Sequence, residues 1–193
     1  MITVFTGPMF SGKTEAAYEA GARAKRAGIV VQVVRPMLDS RRGGRAVTNG
    51  GRRLEDYGLA DTVVDPDRPI VSAVRGNTRV LVLDEAQFFQ RRTPADAYRY
   101  RYWIVEELVQ LVEHRLDRVY VSGLDMDYRA RGFGPMPELM AVAGEVRKLK
   151  AVCACGREDA MYTRRLVKSD AQILVGDKEY APQCAACFAK EIP

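Results

Sequence analysis

Three sets of side chains in this 193-residue sequence are spaced to do chemistry. The first is Gly7-Pro8-Met9-Phe10-Ser11-Gly12-Lys13-Thr14, which fits the pattern G-x-x-x-x-G-K-[ST]. Such a loop cradles phosphates. Its glycines let the backbone wrap closely, its N–H groups point inward, and the positive end of the following helix adds to the field. Lys13 would reach the terminal phosphates of a nucleoside triphosphate, and the Thr14 hydroxyl would ligate Mg²⁺. The second set is Asp84-Glu85. A carboxylate closing an apolar strand downstream of a phosphate loop is the usual second part of the Mg²⁺ site, which assigns Asp84. Glu85 is then available as a base. A hydroxyl is a poor nucleophile near neutral pH, and a positioned carboxylate that takes its proton contributes ~10²–10⁴-fold. Positioning a hydrolytic water, as in an ATPase, is the alternative role. The third set is Cys153-x-Cys155 with Cys184-x-x-Cys187. Two close pairs in an intracellular chain read as metal before disulfide, and the metal as a structural, tetrahedral zinc. Gly156 follows the tighter first pair and can supply its turn. A partial site, or ordinary buried cysteines, is the alternative.

These groups need a scaffold. Residues 2–6 are apolar and β-branched, a strand leading straight into the phosphate loop. Residues 13–27 are rich in Ala, Glu, Lys and Arg, so a helix follows, and Gly28 stops it. Residues 29–34 and 79–83 are nearly all apolar, as strands covered on both faces are. The second of these ends in Asp84-Glu85, where α/β sheets bind ligands. Residues 62–64 suggest a short strand, and residues 69–74 the start of a helix. Residues 103–116 have helical spacing, with Ile104, Leu108, Leu111 and Val112 on one face. His114, near its end, is expected to face solvent. A strand over 118–122 and a helix over 138–146 follow. Strand–helix–strand alternation predicts a parallel sheet over residues 1–150. Residues 151–193 differ in texture, with β-like runs at 160–166, 171–176 and 178–182 between the cysteine pairs.

Two segments stand outside this frame. Residues 42–53 hold four glycines and four arginines; they form either a solvated connection or a loop that orders over phosphates. In residues 90–102, Arg91, Arg92, Arg99 and Arg101 interleave with Tyr98, Tyr100 and Tyr102. That pattern can grip nucleic acid, but an exposed insertion is the simpler expectation. The net charge of +5 suits attraction of polyphosphates and does not by itself argue for nucleic acid. No apolar run reaches membrane-spanning length, and residues 2–5 are too short for a secretory signal, so the cytoplasm is the expected location.

GPMFSGKT, DEAQFF, GLDMDYRARGFG, KLKAVC and AMYTRRL, followed by the second cysteine pair, occur in the order found in thymidine kinases of the zinc-ribbon, tetrameric (type II) family. The resemblance covers nearly the whole chain. It implies an α/β fold, with a RecA-like P-loop kinase domain over 1–150 and a zinc-ribbon domain carrying a nucleoside-covering lasso over 151–193. It implies Mg²⁺-dependent transfer of the ATP γ-phosphate to the 5′-hydroxyl of thymidine, and of deoxyuridine, in nucleotide salvage for DNA synthesis. The catalytic base would be Glu85. ATP and its phosphates would be held by Gly7, Pro8, Met9, Phe10, Ser11, Gly12, Lys13, Thr14, Asp84, Gln87 and Arg41, the last paired with Asp39. Mg²⁺ would lie at Thr14 and Asp84. Met9, Phe88, Leu124, Tyr128, Phe133, Thr163, Arg165, Ile173 and Tyr180 would bind the nucleoside, with Gln87 also along that pocket. The lasso would span residues 168–176, held largely by backbone contacts, with Ile173 against the thymine. Zinc would sit on Cys153, Cys155, Cys184 and Cys187. A homotetramer and feedback inhibition by dTTP complete the implied picture, with no nucleic-acid or membrane partner. The sequence departs from the family pattern in its C-x-C pair, in Asn49 after Thr48 where histidine is common, in Tyr128 where phenylalanine is frequent, and in residues 90–102, an insertion. Two rival readings remain. A helicase or motor fragment would need a second sheet domain for which the chain has no room. A non-catalytic nucleic-acid binder has no need of Lys13, Thr14, Asp84 and Glu85 together.

Overall fold

A computed structural model describes residues 1–37, 51–95, 97–174 and 176–190. Asp39, Arg41, Thr48, Asn49 and most of the glycine–arginine loop lie outside the described residues. The centre is a six-stranded sheet of β1 (Ile2–Thr6), β2 (Val31–Pro36), β3 (Asp61–Val64), β4 (Val80–Leu83), β5 (Arg118–Gly123) and β6 (Glu145–Lys148). Its order is β3-β2-β4-β5-β1-β6, and every pairing is parallel. Helix α1 (Lys13–Arg26) covers one face; α2 (Trp103–His114) and α3 (Met136–Val142) cover the other. This is an α/β parallel-sheet architecture, as the alternation predicts.

The near-continuous apolar strands follow from that burial. Side chains alternate between faces, so Val4, Val34, Leu81 and Leu83 pack toward α2 and α3, while Phe5, Val33 and Val82 pack toward α1. Helix α1 lies close because Gly21 faces the sheet; a Cβ there would stand 2.8 Å from a methyl of Val82. Ile104, Leu108 and Leu111 are the buried stripe of α2, and His114 is exposed as expected.

Four local expectations need correction. Ile29 and Val30 precede β2 and are exposed; the turn closing α1 still holds the Ile29 N–H, and the Val30 carbonyl accepts from Arg79 and Val80 where β4 begins. Residues 69–74 form turns rather than a helix; the Ile70 carbonyl accepts from the Ala73 and Val74 N–H groups, and no further helical turn follows. The helix expected over 138–146 ends at Val142, and Glu145 and Val146 belong to β6 along the edge of β1. Gly144 permits that close pass, since a Cβ there would sit 2.9 Å from Met1. Residues 171–174 form no strand; the carbonyls of Ala171, Gln172 and Leu174 are bonded to side chains instead.

Beyond β6 a two-stranded antiparallel sheet pairs β7 (Tyr162–Arg165) with β8 (Tyr180–Gln183), and the short helix α4 (Ala185–Ala189) follows. Tyr162 and Phe188 stack at 4.3 Å between ring centroids. Among the described residues, no helix is long and apolar enough to cross a membrane.

Residues 91–103 leave the sheet as a closed excursion. Arg92 bridges Tyr102, Thr93 N–H donates to the Arg101 carbonyl, and Trp103 N–H donates to that of Arg91. Three of its four arginines lie over its own rings, Arg91 over Trp103, Arg92 over Tyr102 and Arg99 over Tyr100, while Arg101 approaches Glu138. Self-stacking explains why arginine and tyrosine alternate there without invoking a ligand.

Candidate active site

The C-terminal ends of β1, β4 and β5 lie side by side, with β5 in the middle. The loop after β1 is residues 7–12. Gly7 has φ 139°, and a Cβ there would fall 2.2 Å from the Leu149 carbonyl oxygen, so only glycine fits. Phe10 and Gly12 are also left-handed, which turns the backbone into a cup at the N-terminus of α1. The Lys13 ammonium is buried and donates to the Pro8 carbonyl at 3.2 Å, and the Ser11 hydroxyl donates to the same oxygen.

Asp84 closes β4 and is buried beneath this loop. Its Oδ1 accepts from the Thr14 hydroxyl at 3.2 Å, the Ser122 hydroxyl at 2.5 Å and the Glu85 N–H at 3.0 Å. Its Oδ2 accepts from the Tyr18 hydroxyl at 2.7 Å. Together these donors hold the carboxylate in one orientation. Burial, and then the neighbouring Asp84 charge, push the Tyr18 hydroxyl well above the ordinary tyrosine range, so it stays a donor. Thr14 and Asp84 thus present adjacent hard oxygens, the donor set that suits Mg²⁺. Tyr18 and Ser122 were not singled out from the sequence. The legible signal for Tyr18 was its spacing of one helical turn after Thr14.

Glu85 stands just past Asp84 with φ 53° and ψ 43°. A non-glycine residue here costs about 1–3 kcal/mol, and such strain gathers at functional sites. The turn swings the next residues away from the phosphate loop: Ala86–Phe88 form a single 3₁₀ turn, and Gln87 and Phe88 enter a neighbouring pocket.

That pocket lies between the end of β4, the segment after β5 and the small β7–β8 sheet. Met9, Phe88, Leu124, Tyr128, Phe133, Thr163, Arg165, Ile173 and Tyr180 all line it, as does Gln87. Phe88 and Phe133 meet edge to face at 6.1 Å. Met126, Asp127, Gln172, Leu174 and Gly176 complete the wall; of these, Met126, Asp127 and Gln172 carried no sequence signal beyond their neighbours. Met9 N–H donates to the Thr163 hydroxyl at 3.0 Å, so the phosphate loop and the small sheet meet at the pocket.

Residues 169–174 cover one side and are held by their backbone. The Arg165 guanidinium donates to the carbonyls of Ser169 (3.0 Å), Ala171 and Gln172 (3.0 Å), and to the Tyr180 hydroxyl at 2.8 Å. It lies 3.7 Å from the centre of the Tyr128 ring. The Tyr180 hydroxyl in turn donates to the Leu174 carbonyl at 2.8 Å. The Tyr128 hydroxyl, absent from a phenylalanine, accepts from Arg129 at 2.8 Å and donates to the Ser169 carbonyl at 3.4 Å. Gln172 reaches Asp127 at 3.1 Å and ties the segment to the main body.

The four cysteines converge, with their sulfurs all within 4.8 Å of one another. Cys155 and Cys184 are 3.7 Å apart, and a tetrahedron with Zn–S near 2.3 Å has edges of about 3.8 Å. The tighter C-x-C pair therefore reaches the same geometry. Gly156, at φ 87°, makes the expected turn. As thiols the four share protons awkwardly. N–H groups of Cys155 and Cys184 pull Cys153 down to about 6, while hydrogen bonds with the other three sulfurs push Cys187 up to about 12. A divalent cation resolves that conflict by making every sulfur a thiolate. The cluster fits zinc.

A phosphate loop on a parallel sheet, a carboxylate pair at the end of β4 and an adjoining pocket define a phosphate-binding-loop α/β enzyme of the kinase class. The thymidine kinase family model matches residues 1–188. A thymidine kinase of Porphyromonas gingivalis is 38% identical over 191 residues, covering 98% of this chain and 85% of the relative. One of Bacteroides thetaiotaomicron is 34% identical over 190 residues (98% and 87%), and one of Mesomycoplasma hyopneumoniae 36% over 194 residues (98% and 95%). The chain belongs to the thymidine kinase family, and it is a kinase.

Proposed function

We propose that the protein transfers the γ-phosphate of ATP to the 5′-hydroxyl of thymidine, and of deoxyuridine, with Mg²⁺. The observation that carries the reading is the position of Glu85. It stands between Asp84, which faces the phosphate loop, and Gln87, which lines the adjoining pocket. A base there serves both substrates.

In this reading the N–H groups of Phe10, Ser11, Gly12 and Lys13 and the Lys13 ammonium bind the phosphates, with Arg41 adding a further cation. Thr14 and Asp84 hold Mg²⁺, which supplies neutralisation of phosphate charge. The nucleoside lies among Met9, Phe88, Leu124, Phe133, Thr163 and Ile173, and residues 168–176 close over it and exclude water. Glu85 takes the proton of the 5′-hydroxyl as the new O–P bond forms and the bond to the β-phosphate oxygen breaks, releasing ADP. Zinc on the four cysteines fixes the base of the lasso. The division into a kinase domain (1–150) and a ribbon domain (151–193), a homotetramer, feedback by dTTP and a cytoplasmic location belong to the same proposal.

A panel of deoxynucleosides with γ-labelled ATP tests it. Label is expected in thymidine and deoxyuridine monophosphates and not in purine products. Purine deoxynucleosides labelled in place of thymidine, or hydrolysis alone, refute the substrate assignment.

A further inference from the structure

We propose that Gln87 is a positioning residue: it aims the Glu85 carboxylate and references it to the floor of the acceptor pocket. The inference rests on the phosphotransfer reading and assigns Gln87 a role other than contact with phosphate.

The Gln87 side chain is fully buried, at 0% exposure. A buried amide is tolerated only when both its ends are bonded. Both are. Leu124 N–H donates to Oε1 at 3.0 Å, and Nε2 donates to Glu85 Oε2 at 2.5 Å. These partners also fix which end is which. A backbone N–H can only donate and a carboxylate only accept, so the reversed amide would lose both bonds. Gly123 leaves room for the oxygen, since a Cβ there would stand 2.8 Å from it.

The two anchors join different elements. Leu124 follows β5 and lines the pocket; Glu85 follows β4. Glu85 also holds a strained backbone conformation, which needs support. The amide is a neutral strut between them. It takes up no proton, and it sets the distance from the base to the wall against which the acceptor rests.

The test is a mutant cycle read in kcat and KM for thymidine, with Gln87→Met, Glu85→Gln and the double variant. Gln87→Met is expected to lower kcat by about 10-fold or more, since misplacing a catalytic group by ~1 Å can cost ~10²-fold. KM for thymidine and for ATP should stay within about 2-fold. In the Glu85→Gln background the same change should alter kcat by less than about 2-fold, because residues acting as one unit are not additive. Full additivity in the double variant, or an effect confined to KM, overturns the proposal. Gln87→Asn keeps the amide but falls short of Glu85, and it should reproduce the kcat loss. Failure of both Gln87 variants to fold assigns the residue to structure and also overturns it. A wild-type enzyme that does not phosphorylate thymidine refutes the functional reading instead, so the two failures are distinct.

Discussion

Arg165→Met separates covering the nucleoside from reacting with it. The substitution keeps an unbranched stem and removes the guanidinium. Lost with it are three donations to carbonyls of the lasso, one to the Tyr180 hydroxyl, and the stacking on Tyr128 at 3.7 Å. Charge-assisted bonds contribute about 1.5–3 kcal/mol each when buried, but this group is only half-buried and solvent screens it. A discounted sum of about 2–3 kcal/mol is reasonable, or roughly 30- to 100-fold in the closed-to-open ratio at 1.4 kcal/mol per decade. Apparent affinity falls with the closed fraction, so KM for thymidine should rise by about 10-fold or more. The chemical step uses Glu85 and the phosphate loop, neither of which Arg165 touches, so kcat at saturation should change by less than about 2-fold. Steady-state kinetics at saturating ATP measure both constants, with zinc content and melting temperature confirming an intact fold. Arg165→Lys should recover little, because an ammonium lacks the planar fork that reaches several carbonyls. A KM within 2-fold of wild type, or a fall in kcat at constant KM, refutes the clamp.

Other outcomes follow from the same geometry. Glu85→Gln should bind ATP and thymidine normally by calorimetry while kcat falls by about 10²-fold or more; near-normal kcat removes Glu85 as the base. Elemental analysis should give one zinc per chain, and Cys184→Ser should lose the metal and with it several degrees of melting temperature, whereas a metal-free wild type defeats the four-cysteine site. Burial raises the Glu107 carboxyl above the ordinary range, against the Ile70 N–H that lowers it. The folded state therefore holds that proton more tightly than the unfolded chain. The sign is a stability penalty that grows as pH rises from the unfolded to the folded value and persists above both. Glu107→Gln, which can still accept the Ile70 N–H, should melt above wild type at pH 7.5, with the gap closing toward pH 4; a gap that does not change with pH contradicts the burial argument.

The parts of the site carried by contiguous residues could be read in the sequence. Gly7 to Thr14 needs one loop and one helix N-terminus, and both are local. The apolar run before Asp84-Glu85 announced a strand buried on two faces, because each of its side chains must meet a helix or another strand. The cysteine pairs were legible because a metal tolerates few ligand types. What escaped depends on partners distant in the chain. Residues 145–148 have no strand signature of their own; they become β6 by pairing with residues 3–6. Ser122 ends an ordinary strand, and nothing local says that its hydroxyl meets Asp84, 38 residues earlier. Asp127 and Gln172 are unremarkable until the fold brings them within 3.1 Å. Residues 171–174 carried β-like apolarity, yet Arg165 and Tyr180 bind the carbonyls of Ala171, Gln172 and Leu174, which a ladder would need.

The central claim is transfer to one oxygen, the 5′-hydroxyl of the nucleoside. A single-turnover experiment with γ-labelled ATP and either thymidine or 5′-deoxythymidine, which lacks the acceptor hydroxyl, tests it most directly. Thymidine should yield labelled 5′-monophosphate in equal amount to ADP, and 5′-deoxythymidine should yield none. Label on 5′-deoxythymidine, or ADP release without any labelled nucleotide from thymidine, would contradict the account.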